Sequence, residues 1–353
     1  QTLQAAPYAS QVGTAIATEA GAVPLNPGNK LLKPERGVEY EVGFDASLLS
    51  DRARVEFTYF HKTSLDLILQ PQLSPSLGFQ ANPFKNIGEV LNSGIEVGIT
   101  ADMLRMKNFQ WETRVNFNTL NNELVDLGEV APFGTLNRFT EGFQMGSFVS
   151  KRIKNINTAT KVVTVADTFE VVGNALPTFE LSWSNTFTLF KNFRVSTLID
   201  TKQDFYIYNL TDYFRETQLV RSNRRLDPTV LPEIERLRRY GNPTAGQPAF
   251  VQLNGTGTTV DQARDGFLQA GDFVRFRELG VTYNVAPRLL TKFFGTRTAS
   301  IGFAMQNIAL WTDYEGADPE VVSNPTEAFG VGRTDFLTLP NPKRALLRLN
   351  LSF

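Results

Sequence analysis

Apolar and polar residues alternate with a period of two through most of this chain. The end of the sequence shows it most plainly, with Ala345, Leu347, Leu349, Leu351 and Phe353 on one parity and Arg344, Arg348, Asn350 and Ser352 on the other. That is a membrane-crossing length for a strand with one apolar and one wet face. The pattern recurs in Val38, Tyr40, Val42 and Phe44 against Glu39, Glu41 and Asp45, and in Val55, Phe57 and Tyr59 against Arg54, Glu56 and Thr58. Ile95, Val97 and Ile99 continue it, followed by Phe109, Trp111, Val115 and Phe117. Phe179, Leu181, Trp183, Phe187 and Leu189, then Phe193, Val195 and Ile199, then Ala299, Ile301, Phe303 and Met305 complete the series. Between Phe273 and Val285 the parity slips, with Val274 and Phe276 on one register and Leu279, Val281, Tyr283 and Val285 on the other. A β-bulge near Arg277-Glu278 is the expected cause.

Short links join strand pairs at Leu49-Ser50-Asp51, Arg105-Met106-Lys107 and Lys191-Asn192, and a slightly longer one at 287–296. Long segments fill the alternate gaps, roughly 70–88, 122–142, 207–270 and 310–342. Short turns on one side and long loops on the other predict an all-β, antiparallel transmembrane barrel. Counting strand directions back from the C-terminus asks for one more strand between 143–153 and 177–190, and 161–172 (KVVTVADTFEVV) is the candidate, giving eleven. Bacterial single-chain barrels have an even number of strands. The expectation is therefore the C-terminal part of a larger barrel: residues 1–30 an upstream loop or strand remnant, 31–353 the barrel portion, and 207–270 a long extracellular loop. No segment before residue 35 is long enough for a plug domain.

Composition narrows the chemistry. The 353 residues carry 35 Lys+Arg against 36 Asp+Glu, so there is no basic footprint for nucleic acid. With no Cys and only His61, thiolate nucleophiles, zinc-thiolate sites and every two-imidazole mechanism are absent. His61 itself shares the parity of Phe57 and Tyr59 near a strand end and reads as an interfacial histidine. Gly-rich phosphate loops and GxSxG are missing as well, so nothing argues for an enzyme. The longest apolar runs are four residues, far short of the ~20 of a membrane helix. The opening QTLQAAPYAS has neither a charged start nor an apolar stretch, so it is not a signal peptide, and the expectation is a chain that starts after processing or truncation.

Seven stretches, in order, resemble the SusC/RagA-like TonB-linked outer-membrane transporters: LKPERGVEYEVGFD (32–45), DRARVEFTYFHKTSLDLIL (51–69), NIGEVLNSGIEVGI (86–99), GNALPTFELSWSNTF (173–187), GDFVRFRELGVTYNV (271–285), QNIALWTDYEGADPEV (306–321) and the LRLNLSF ending. The resemblance implies a plugged barrel of about 22 strands that imports oligosaccharides or oligopeptides. It also implies a SusD-like surface lipoprotein as partner and TonB engaged through a region not in this sequence. Phe353 matches the family's C-terminal assembly signal. A plugless structural or adhesin-like barrel remains an alternative. A soluble β-sandwich fits worse, because it does not explain the short-turn, long-loop alternation.

Tyr206, Tyr208, Tyr213 and Phe214 lie where a strand enters the long loop, and Trp311 and Tyr314 where another leaves the barrel. Each set reads either as a stacking platform for sugar or peptide or as the aromatic girdle of the membrane interface. The segment from Arg215 to Arg239 holds seven Arg, among them Arg221, Arg224 and Arg225, as candidates for contact with a partner or an anionic substrate. Pro232 followed by EIERLRRY and Gly241 predicts a short helix. No cofactor is expected. Asp313, Glu315, Asp318 and Glu320 are weak candidates for a loop Ca²⁺, since hard cations take several carboxylate oxygens, but the spacing is not that of an EF-hand.

Overall fold

The computed structural model describes residues 2–12, 15–26, 28–71, 73–77, 79, 81–134, 136–218, 232–240, 264–285, 298–323 and 333–352. Among these, eleven strands have nine or more residues. They are β1 (Thr2–Val12), β2 (Ala15–Asn26), β3 (Arg36–Leu48), β4 (Ala53–Leu65), β5 (Glu89–Arg105) and β6 (Phe109–Thr119). β7 (Phe179–Leu189), β8 (Phe193–Gln203), β9 (Phe273–Asn284), β10 (Thr298–Thr312) and β11 (Arg344–Ser352) follow. β3 to β11 form one sheet in which every strand lies antiparallel beside its neighbours in sequence. β1 and β2 pair with each other as a separate hairpin.

The connections alternate in length as the sequence pattern predicts, and all four long ones leave the same end of the sheet. At the other end the three described turns are tight. Phe190 and Lys191 both have positive φ (50° and 68°) and Asn192 N–H donates to the Leu189 carbonyl at 3.2 Å. Two left-handed residues in a row give the turn the twist that matches its strands.

The two remaining sequence-assigned strands lie elsewhere. Ser147–Ser150 pairs with Asn137–Arg138 and with Glu170–Gly173, and Val162–Val165 pairs with Ile153–Asn157, all inside the connection between β6 and β7. Strands of two to five residues are too short to cross a bilayer, which takes about 9–11. Because both segments leave the barrel together, the direction of every other strand is unchanged.

The sheet's faces follow the alternation. Val42, Phe44, Trp183, Ile301, Phe303, Leu347 and Leu349 are exposed, and they form the apolar band of one face. Polar atoms on this face satisfy one another. The Trp111 indole donates to Asn185 Oδ1 and the Trp183 indole to Thr113 Oγ1, each at 2.9 Å. In hydrocarbon an unsatisfied N–H costs several kcal/mol, so these cross-strand acceptors are part of the membrane fit. The opposite face carries a polar lattice: Lys202 to Glu180 at 2.9 Å, Asn116 to Ser182 at 3.3 Å and Gln306 to Glu278 at 3.0 Å. Gly94 sits on this face opposite Phe60, where a Cβ would fall 2.9 Å from the Phe60 ring and closer still to the Thr119 carbonyl.

The predicted bulge is present. Leu198 on β8 pairs with Glu278 and Ile199 with Phe276, leaving Arg277 as the extra residue. Its consequence is chemical: the slip lets Arg275, Arg277 and Glu278 all point to the polar face, because an inserted residue re-aims the side chains around it.

The face assignment makes Leu349→Arg and Asn350→Arg a discriminating pair. A charge on the lipid face costs about 2–4 kcal/mol near the midplane. In the full-length protein, Leu349→Arg is expected to abolish the heat-modifiable folded band on SDS gels while Asn350→Arg preserves it. Equal loss would reverse the assignment.

Candidate functional site: an ion-paired cap at the long-loop end

Buried apolar side chains are concentrated outside the barrel wall. Leu136, Phe148, Ala175, Tyr208, Phe267 and Leu268 form one cluster, and Leu69, Val90, Leu124, Leu127 and Phe139 a second. Phe205, Ile207, Phe273 and Tyr314 form another at the sheet's rim, so the long loops fold into a cap with its own cores. A small sheet ties two of these loops together. Tyr206–Asn209 pairs antiparallel with Leu268–Ala270 and parallel with Thr334–Asp335. After it comes helix α1 (Leu210–Gln218), whose first turn is capped by Asn209 Oδ1 accepting from Asp212 N–H at 2.9 Å.

Helix α2 (Glu233–Tyr240) lies where Pro232 and Gly241 place it. Its Arg239 is 1% exposed and meets three carboxylates, Asp212 and Glu235 at 2.5 Å each and Glu315. Burial works against the Arg239 charge, but hydrogen bonds to Glu235 and Glu315 more than offset it and hold the guanidinium protonated. For Glu235, burial raises the carboxyl, yet hydrogen bonds from Arg238 and Arg239 hold it below the usual carboxylate range. Beside this cluster the Tyr314 hydroxyl donates to Asp335 Oδ2 at 2.7 Å. Burial, that hydrogen bond and the charges of Asp335 and Asp212 push its phenol far up, so it stays neutral. Asp335 also accepts from Thr211 at 3.1 Å and Thr338 at 2.6 Å.

A second ionic cluster hangs from the bulge. Arg277 bridges Asp200 (2.9 Å from Nε) and Glu320 (2.8 Å), and Arg275 reaches Asp318 at 2.5 Å. Asp318 in turn accepts the Glu320 and Asn341 N–H groups at 3.0 and 3.1 Å. The β10–β11 loop is thereby fastened to the polar face of β8 and β9.

The aromatic candidates separate. Tyr208 is buried in the cap, Tyr206 packs against the same cluster, and Tyr213 sits edge-on to Phe267 at 5.4 Å. Phe214 lies edge-on to Phe336 at 5.5 Å. Trp311 alone is widely exposed, 57%, on the apolar face beside its partner Val274, where an interfacial girdle belongs. The acidic candidates do not converge: Asp313 is exposed, Glu315 faces Arg239, and Asp318 and Glu320 face Arg275 and Arg277. Among the described residues no group of three or more His, Cys, Asp or Glu side chains is arranged to hold a metal ion. Arg221, Arg224, Arg225 and Phe353 lie outside the described residues.

Sequence reasoning missed Arg239, Arg275 and Arg277 as anchors. The signal that could have found two of them was on view: charged residues placed at the bulge, at positions where an apolar strand would have been interrupted for no other reason.

Comparison with known proteins agrees with this architecture. The TonB dependent receptor-like, beta-barrel family matches residues 2–155. TonB-dependent receptor P3 of Formosa agariphila is 25% identical over 94% of this chain and 36% of its own length. SusC of Bacteroides thetaiotaomicron is 22% identical over 92% of this chain and 32% of its own. Among solved structures, the RagAB peptide importer in its closed-closed state superposes on the whole chain with a TM-score of 0.73 at 16% identity, covering 38% of that chain. The chain is thus similar to part of a TonB-dependent receptor barrel. Its sequence relatives include SusC, and its fold is that of the corresponding part of the RagAB barrel. It spans about a third of the length of the curated relatives it matches.

Removing Arg239 leaves three carboxylates facing one another. Breaking a buried pair costs about 3–5 kcal/mol. Arg239→Met is expected to make α2 sensitive to limited proteolysis while the barrel remains heat-resistant.

Acid tests the same contact. Because the Glu235 pKa is lowered on folding, its contribution is present above the unfolded carboxylate range and is lost as the pH falls through the folded value. Proteolysis of α2 should therefore rise below about pH 4 in the wild type and rise less steeply there in Glu235→Gln, which keeps only the Asp212 and Glu315 carboxylates.

Proposed function

We propose that this chain is the C-terminal portion of a TonB-dependent importer for oligosaccharides or oligopeptides, acting with a SusD-like surface lipoprotein. Residues 31–353 would supply barrel wall and cap, with 207–270 the principal extracellular loop, and the plug and the TonB-contacting segment would come from the rest of the full-length protein. The observation that carries this reading is the combination of a membrane-length sheet with a polar inner face and a folded cap of long loops at one end. A polar lumen serves passage. SusC-type relatives and the likeness to the barrel of a peptide importer point the same way. TonB-dependent receptors are transporters rather than enzymes, which fits the lack of catalytic constellations in the sequence.

On this reading the mechanism is transport. Substrate is captured from outside between the loops, and energy delivered through TonB displaces the plug, so that substrate descends along the polar face. Arg221, Arg224, Arg225 and the rim aromatic Tyr206 are the side chains we would assign to contact with substrate or lipoprotein. A plugless barrel that binds a partner through its loops is the competing reading.

The two separate in one experiment. A strain lacking the gene is fed mixed oligosaccharides or mixed oligopeptides, and their depletion from the medium is followed with and without functional TonB. Import predicts that deletion of the gene and loss of TonB abolish uptake of the same class of compound. Uptake of both classes unchanged in either strain would favour the partner-binding barrel.

A further inference from the structure

Most buried or half-buried arginines of the cap face carboxylates, and Arg138 and Arg333 stand outside that rule, Arg138 reaching only the Pro132 carbonyl at 3.5 Å. Arg239 faces Asp212, Glu235 and Glu315, Arg275 faces Asp318 and Glu320, and Arg277 faces Asp200 and Glu320. Arg333 has no ion pair among the described residues, although its Nε is sealed from solvent without a hydrogen-bond partner. A guanidinium does not shed its charge, so a desolvated one calls for an anion.

Its setting is built. The guanidinium lies 4.6 Å over the ring of Phe205, which is itself 0% exposed. Phe205 is seated against Gly271, where a Cβ would come within 2.3 Å of the ring, so the platform exists only because that residue is glycine. The backbone on either side is fixed as well, with the Arg333 carbonyl accepting from Tyr208 N–H at 2.9 Å and Thr334 pairing with Tyr208. Burial depresses the Arg333 pKa, while the charges of Glu180 on the polar inner face and Glu320 in the β10–β11 loop act the other way. Neither is available to it: Glu180 holds Lys202 at 2.9 Å, and Glu320 holds Arg277 at 2.8 Å and Asn341 at 3.2 Å. Among the described residues no hydrogen bond or ion pair occupies the Arg333 Nη groups either.

We propose that Arg333, stacked on Phe205, is a carboxylate-binding subsite at the extracellular mouth of the lumen, selecting acidic substrates. The ligand group is a carboxylate because the planar fork matches it two-point and the aromatic face holds the fork flat. An acidic peptide and a uronic-acid oligosaccharide share that group. This inference rests on the import reading, but its test is a binding measurement on the purified full-length receptor without TonB, so failure of one does not imply failure of the other.

The probes are fluorescent hexaglutamate against hexaglutamine, and tetragalacturonate against its methyl ester. Wild type should bind one acidic probe about tenfold or more tightly than its neutral counterpart, the size expected of a charge-assisted pair. Which pair shows the preference identifies the source of the carboxylate. Arg333→Gln should remove the preference and leave neutral-probe affinity unchanged. Gly271→Ala, which displaces the ring but keeps the charge, should reduce the preference severalfold. No acidic preference in the wild type, which needs no variant to fold, would overturn the proposal. So would a preference that survives Arg333→Gln, or an Arg333→Gln variant that loses thermal stability in a protein showing no probe preference, which would assign the partner carboxylate to the receptor itself.

Discussion

A strand in hydrocarbon has no water to satisfy its backbone, and the rest of this structure is organised around that constraint. β3 to β11 meet it by pairing each strand with its sequence neighbours, register after register, from Arg36 to Ser352. Once the backbone is committed in this way, side chains alternate by necessity, and one face must be apolar toward lipid while the other is free to be polar. The wall therefore has no core in the usual sense. The apolar clusters that a water-soluble domain would place at its centre are instead found in the cap, where loops of 20 to 70 residues have to fold in water.

That division explains which parts were legible in the sequence. A period of two repeated in strand after strand identified the wall, its faces and even the bulge at Arg277, because the lipid imposes the pattern on every strand. In the cap the same local signal misled. Lys161 to Val172 alternates well enough to suggest a barrel strand, yet its short strands pair within a loop, since alternation alone does not distinguish a strand of four residues from one that must cross a bilayer. Tyr208 and Tyr314 carried the letters of a girdle or a stacking platform, but they are buried by residues distant in sequence, Tyr208 in a cluster with Phe267, 59 positions away, and Tyr314 with its hydroxyl on Asp335, 21 positions away. Helix α2 was readable because its proline and glycine act locally. The partners of Arg239 were not, because Asp212 and Glu315 come from two other segments.

The bulge connects the two regimes. In a regular strand Arg275 and Arg277 would alternate with residues facing lipid, and Glu278 would be forced outward. One inserted residue brings Glu278 inward beside them, which keeps its charge out of the membrane, while Arg275 and Arg277 hold Asp318 and Glu320. A defect in the ladder thus becomes the point where the cap is attached to the wall.

The parallel pairing of Tyr206–Asn209 with Thr334–Asp335 has a mechanical meaning beyond its few hydrogen bonds. It splices the loop after β8 to the loop before β11, across more than 120 residues of chain, and Tyr314 pins the same splice from a third direction through Asp335. Loops joined in this way are stiff as a set: a force that lifts one is shared by the others, and none swings alone on its own strand ends. The cap behaves as a single plate bolted at the rim by the arginines of β9, and any opening wide enough for a large cargo has to tilt that plate as a body or unfasten its bolts.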